Sequence, residues 1–175
     1  MKQGIINLFR GSGSMKIRSA TENDIGDIQA LIFRNIDEVM LIVHSKNALE
    51  KVKMHTIFDV LLSQLTWKMV FVVEDENQII ATGSFANFGT NNQPKYSVSN
   101  LFVKPELHKN GIGTMLIEHL IGIAKEKNAA VIHVPASRTG IAFYKKMGFE
   151  TDNEQPEEKD EIIWMTKKLN NNVLH

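Results

Sequence analysis

The stretch His108-Lys109-Asn110-Gly111-Ile112-Gly113-Thr114 lies between a run of strand character ending at Val103 and an amphipathic run opening near Gly111. This order of strand, glycine loop and helix constrains the fold more than any other feature of the chain. Two glycines remove the Cβ atoms that would hold a phosphate off the backbone. The first turn of the helix adds unpaired N–H donors and the positive end of its dipole. The segment therefore reads as a pyrophosphate cradle, against the plainer reading of a glycine-rich turn that opens an ordinary helix. The helix, residues 111–127, carries a broad apolar face of Ile112, Leu116, Leu120, Ile121 and Ala124 suited to lying on a sheet. Residues 131–134 then form a strand reached by a strand-helix-strand crossover, which predicts a parallel pair.

The rest of the chain supplies a mixed α/β pattern. Residues 15–19 read as a short strand. Thr21-Glu22-Asn23-Asp24 has capping-box spacing, and Ile25, Ile28, Ile32, Ile36 and Val39 follow as an inward helical stripe. Residues 41–46 read as a loop. Asn47-Ala48-Leu49-Glu50 is a second cap signal, ahead of Leu49, Val52, Ile57, Val60, Leu61 and Leu65 at helical spacing. Residues 69–73 and 79–88, joined by Asp75-Glu76-Asn77, predict an antiparallel hairpin. A polar loop at 89–93 precedes a strand over 96–103 that ends before Pro105.

In that last strand the apolar phase is even at Tyr96 and Val98 but odd at Leu101 and Val103, with Ser99 and Asn100 at the break. One extra residue, a β-bulge, explains the shift; an edge strand with both faces partly covered explains it as well, since Phe102 is apolar too. Residues 139–147 form a short helix stopped by Gly148. Residues 149–151 and 161–168 form a closing strand pair around an acidic loop.

Composition narrows the function. With 175 residues, 43% of them apolar, the chain is about one domain with a substantial core. Gly11-Ser12-Gly13-Ser14 has linker composition, so residues 1–14 are expected to be a flexible leader or added segment, 15–169 the domain and 170–175 a tail. Twenty basic and twenty acidic residues cancel, which speaks against a broad nucleic-acid contact. No apolar run approaches the roughly 18 residues of a membrane span, and no signal peptide is evident. The absence of cysteine excludes disulfides, thiolate metal sites and a cysteine nucleophile, and fits a cytoplasmic protein. His44, His55, His108, His119 and His133 show no ligand spacing, so no metal is inferred. No Gly-Lys-Ser/Thr follows the glycines, and Leu116 stands where a Rossmann fingerprint needs a third small residue.

Together the glycine loop and the segment Ser137-Arg138-Thr139-Gly140-Ile141-Ala142-Phe143-Tyr144-Lys145-Lys146-Met147-Gly148-Phe149 resemble the Gcn5-related N-acetyltransferase (GNAT) superfamily. The resemblance in element order spans residues 15–169. It implies an α/β fold with a mixed, mainly antiparallel central sheet, a splayed parallel strand pair and flanking helices. It also implies acetyl-CoA as cosubstrate, held by Leu101, Phe102 and Val103, by His108, Lys109, Asn110, Gly111, Ile112, Gly113 and Thr114, and by Ser137 and Tyr144. Relatives usually place Gln or Arg where this chain has His108, often Asn at Ser137 and Ala at Gly140.

By the same resemblance Tyr144 sits near the coenzyme sulfur, where a phenol of pKa about 10 can protonate a leaving thiolate of pKa about 8.5. A packing tyrosine is its plainer role. Backbone N–H groups of 101–103 would stabilise the oxyanion. Many relatives carry Glu where this chain has Asn100, which orients water but accepts no proton at neutral pH. His133, of ordinary pKa about 6.5, is the candidate base, against a purely structural role. The expected reaction is direct acetyl transfer to a primary amine, with self-association into a homodimer left open. The acceptor is expected from the side of residues 41–53, with His44, Lys46, Lys51 and Lys53. Glu154, Glu157, Glu158, Asp160 and Glu161 would either attract a cationic amine or simply form a solvated loop. Two alternatives stand beside this reading: a non-catalytic acyl-CoA binding or sensing domain, and a nucleotide-binding interaction module.

Overall fold

The computed structural model describes residues 6–10, 13–151 and 161–169. Strands β1 (Ile6–Arg10), β2 (Gly13–Ser19), β3 (Met69–Asp75), β4 (Gln78–Asn87), β5 (Tyr96–Val103), β6 (Val131–Ser137), β7 (Glu150–Thr151) and β8 (Ile162–Lys168) form one sheet. Its order is β1-β2-β3-β4-β5-β6-β8-β7. Neighbours are antiparallel except β5 and β6, which are parallel and pair only at Tyr96↔Ile132 and Ser97↔His133 before they part. The helices are α1 (Ile25–Glu38), α2 (Lys46–Met54), α3 (Phe58–Gln64), α4 (Ile112–Glu126) and α5 (Ile141–Lys146). Among the described residues no helix is long and apolar enough to cross a membrane.

Strand alternation sends successive side chains to opposite faces, and each face has its own apolar layer. Val73, Val98 and Ile132 pack with Leu116, Leu120 and Ala124 of α4. Val72 and Ile79 pack on the other side with Ile28, Ile32 and Ile36 of α1. Side chains buried this completely contribute about 2 kcal/mol each, so both helices are fixed firmly to the sheet. The β3–β4 turn places Glu76 and Asn77 at φ 46° and 62°, the left-handed pair that a two-residue hairpin needs.

Three expectations change. The second cap is Ser45, whose hydroxyl accepts from Ala48 N–H at 3.3 Å, so α2 starts two residues before the Asn47 signal. The apolar run that follows is two helices: Thr56 turns its hydroxyl back onto the Val52 carbonyl at 2.7 Å, and Ile57 is extended at φ −67°, ψ 159°. Residues 41–46 are not all loop, because Met40–Ile42 is a 3-10 turn and Lys46 already belongs to α2. At the other end of the sheet, Ile6–Arg10, within the segment expected as a flexible leader or added segment, pairs with β2. A further strand there satisfies the donors and acceptors on the outer edge of β2.

Candidate active site

The break in apolar phase along β5 is a bulge. Thr82 of β4 faces Phe102 and Ser84 faces Ser99, so Gly83 alone stands opposite Asn100 and Leu101. Asn100 takes φ 53°, a conformation that asparagine tolerates better than branched residues. Gly83 has no room for more: a Cβ there would lie 3.1 to 3.2 Å from side-chain atoms of Leu101, Leu116 and Leu120. Below the bulge, Lys104 N–H donates to the Ile80 carbonyl at 2.9 Å. By alternation the backbone groups of Phe102 also face β4, and those of Leu101 and Val103 face the gap toward β6.

That gap opens into a cavity of about 850 Å³, near the top of the usual range for small-molecule sites. One continuous cleft joins the glycine loop, the parted strands and the helices on the far face. Lys109, Gly111, Gly113 and Thr114 line it at the loop, and Asn100, Leu101, Phe102, Val103, Ser137 and Tyr144 line its middle. Met40, Lys51, Val52 and His55 line its far end. Among the described residues no carboxylate lines the cleft, whereas Lys51, Lys109 and Lys146 do. This balance suits an anionic ligand.

The loop has the geometry of an anion cradle. Lys109 and Gly111 both take left-handed conformations, φ 64° and 84°, which curl the backbone ahead of α4. The Cβ position at Gly111 is open, with nothing within 4 Å, and Gly111 lines the cleft. Met115 N–H donates back to the Gly111 carbonyl at 2.9 Å, leaving Ile112, Gly113 and Thr114 as the first-turn donors without an intrahelical acceptor. At Gly113 a methyl group would meet Phe143 at an ordinary 3.5 Å, so this position accepts alanine as well.

Other expected site residues do something different. His108 lines the cleft, yet its Nε2 donates to the Val103 carbonyl at 2.9 Å, fastening the loop to the end of β5. Ile112 turns into the core at 5% exposure, and neither it nor Asn110 lines the cleft. His133 does not line it either. It sits where β5 and β6 are still joined, facing Ser97 on one side and Thr166 on the other, above the point where the strands part. The acidic residues Glu154, Glu157, Glu158 and Asp160 lie outside the described residues. Glu161 is tied to the α2 cap, accepting from Ser45 N–H at 3.2 Å and contacting His44 Nδ1 at 3.0 Å.

Tyr144 is buried between Phe143 and Phe149, whose rings meet it edge-on at 5.2 and 5.6 Å, and it also lines the cleft. Burial pushes its phenol well above the usual tyrosine range, so it stays protonated at neutral pH and has a proton to donate. Sequence inspection missed two residues that shape the middle of the cleft. Asn35, on the apolar face of α1, donates from Nδ2 to the carbonyls of Leu31 and Val103 at 3.0 and 2.9 Å. Gln64, buried at the end of α3, accepts from Asn100 Nδ2 at 3.0 Å. An amide within an apolar helical stripe was the available signal for Asn35; Gln64 offered none.

An α/β sheet that splits at a parallel pair, with a bulge on one arm and an anion loop behind it, defines a class of acyl-transfer proteins. Residues 66–151 match the acetyltransferase (GNAT) domain. The fold is similar to that of the PaiA N-acetyltransferase of Thermoplasma acidophilum, solved in complex with coenzyme A. The TM-score is 0.75 at 19% identity, over 89% of this chain and 99% of that one. A predicted acetyltransferase of Clostridium acetobutylicum, solved with acetyl-CoA, is 29% identical with a TM-score of 0.61, over 83% and 96% of the two chains. The human cysteine-rich protein 2-binding protein is 42% identical over 55 residues, a stretch that spans 31% of this chain and 7% of that protein.

Proposed function

We propose that residues 15–169 bind acetyl-CoA and transfer its acetyl group directly to a primary amine, with no covalent enzyme intermediate. The observation that carries this reading is the meeting in one cleft of the open glycine loop, the unpaired edge of β5 and a buried, protonated tyrosine. The first-turn N–H groups of Ile112, Gly113 and Thr114 suit the pyrophosphate. The backbone groups of Leu101 and the N–H of Val103 suit the amides of the pantetheine arm, which would lie in the gap as an additional strand, while the Val103 carbonyl is already taken by Asn35 and His108. The Tyr144 hydroxyl protonates the departing thiolate. The amine enters from the end lined by Lys51, Val52 and His55. The cysteine-free composition fits work in the cytosol.

Asn100 supports a second reading, an acyl-CoA binding or sensing domain, because it places an amide where relatives often have a carboxylate base. Thermal shift and thiol release together distinguish the readings. Stabilisation by acetyl-CoA, with none by ATP or NAD, and thiol release that depends on an amine from a panel of ethanolamine, glycine, lysine, spermidine and a short peptide are the expected results. Stabilisation without turnover on any amine favours the sensing domain. Gly111→Asp, which adds a negative side chain at an open position in the cradle, should abolish coenzyme binding by calorimetry while the far-UV circular dichroism is retained; unchanged affinity puts the pyrophosphate elsewhere.

A further inference from the structure

Transfer to an amine requires that the ammonium lose a proton, and the expected acceptors for it are missing. No carboxylate among the described residues lines the cleft, the Asn100 amide is bonded to Gln64, and His133 lies above the fork. Directly before the bulge, however, Ser99 lines the cleft. Its hydroxyl is 3.2 Å from Lys68 Nζ and 2.9 Å from the Ser84 hydroxyl, and Ser84 Oγ in turn donates to the Ser99 carbonyl at 3.0 Å. Among the described residues Lys68 has no carboxylate partner: its ammonium position faces the rings of Trp67 and Phe88, with Nζ 4.8 and 6.0 Å from their centroids.

Resting on the acetyltransferase reading, we propose that Ser99 and Lys68 form a proton relay, in which the Ser99 hydroxyl meets the incoming ammonium and the Lys68 amine receives the proton through it. In balanced form, the ammonium gives one proton to Ser99 Oγ while the Ser99 hydroxyl proton passes to the neutral Lys68 nitrogen. The products are a neutral amine, an unchanged serine and a Lys68 ammonium, which releases its proton to solvent. The neutral amine attacks the thioester carbon, the carbon–sulfur bond breaks, and the thiolate takes a proton from Tyr144, which is replenished by the second proton lost from the new amide nitrogen. One proton is released per acetyl transferred.

The surroundings of Lys68 support this role. Burial pulls its pKa down to about 8, and burial is the sole cause, with no charged group of α3, β3, β4 or β5 contributing. The groups that face its amine are Ser99 and the two rings, all uncharged. The rings favour the ammonium by about 0.5–1 kcal/mol each, which opposes burial and keeps the group near its titration point rather than permanently neutral. A base that titrates close to the working pH is the most effective kind. The Ser84 contact to Ser99 holds the hydroxyl in line: while Lys68 is charged the Ser99 proton points to Ser84, and when Lys68 is neutral it points to nitrogen.

Two measurements decide the matter. The 13Cε signal of Lys68, assigned by its loss in Lys68→Met, should titrate near pH 8 in the unliganded protein; a midpoint at the ordinary lysine value near 10 overturns the proposal without reference to turnover. The pH dependence of kcat/KM is read next, with the amine of the panel that gives the fastest thiol release. It should rise through about pH 8 to a plateau. In Lys68→Met, Lys68→Arg and Ser99→Ala that limb should vanish and the rate at pH 8 fall about 100-fold, with KM for acetyl-CoA unchanged. Wild-type profiles in these variants overturn the relay, as does a limb that is lost only in His55→Ala. Absence of amine-dependent turnover in the wild type would count against the acetyltransferase reading itself, and the 13C titration still judges Lys68.

Discussion

Tyr144 combines two demands that usually conflict, since its ring is packed among phenylalanines while it also lines the cleft. Removing only the hydroxyl keeps the packing. Tyr144→Phe is therefore expected to lower kcat about 100-fold and leave KM for acetyl-CoA and the unfolding midpoint nearly unchanged, as measured by thiol release and thermal melting; wild-type turnover would reduce Tyr144 to a packing residue. Tyr144 and Gly111 were legible as residues of the cleft because each belongs to a local motif with its own spacing. Ser99 and Lys68 were not, since 31 residues separate them and neither has a motif. Their contact exists only once β5 has been laid beside β4 and the end of α3 has been brought over it. His133 shows the reverse: a histidine one strand away is in sequence terms a fair candidate, and only the position of the fork sets it outside the lining of the cleft.

Elements were more legible than contacts. The hairpin, the crossover and the helix after the glycine loop follow from periodicity and turn residues, and β5 betrayed its bulge through the shift in apolar phase between Val98 and Leu101. What periodicity could not give was the break between α2 and α3, because Leu49 and Val60 keep helical spacing across it and Thr56 breaks the helix through a side-chain bond. Gly83 was also silent, although the bulge depends on it. Gly83→Val forces a branched side chain against Leu101, Leu116 and Leu120, so it should cost about 2 kcal/mol in denaturant unfolding, and calorimetry should show weaker acetyl-CoA binding because the β5 edge moves. Undiminished affinity in a destabilised variant would separate the bulge from the ligand site.

At the scale of the molecule, β2, β3 and the start of α1 are joined through one charged cluster. Arg18 donates to both oxygens of Asp24 at 2.8 Å and to Glu74 at 2.7 Å, and Thr21 N–H and hydroxyl also donate to Asp24. The Arg18 guanidinium, followed by the Thr21 bonds, holds the Asp24 carboxyl down to about 2 against the cost of its burial. Because the folded value lies below the unfolded one, the contribution is complete above pH about 4 and is lost as pH falls toward 2. It amounts to about 2 kcal/mol. Urea titrations between pH 5 and 2 should show this loss in the wild type and a flatter profile in Asp24→Asn; parallel profiles would contradict it. The strand order has a consequence for how the molecule is made. Strand β8, late in the chain, lies inside the sheet between β6 and β7, and β6 holds to β5 by only two residue pairs. While the chain is being synthesised, β1 to β5 can assemble with α1 to α4 as successive hairpins and one helical layer, whereas the arm carrying Ser137 and Tyr144 has no second neighbour until β8 emerges. One wall of the cleft is thus built early and the other only once β8 has emerged, so a nascent chain that stops short of β8 carries half a site.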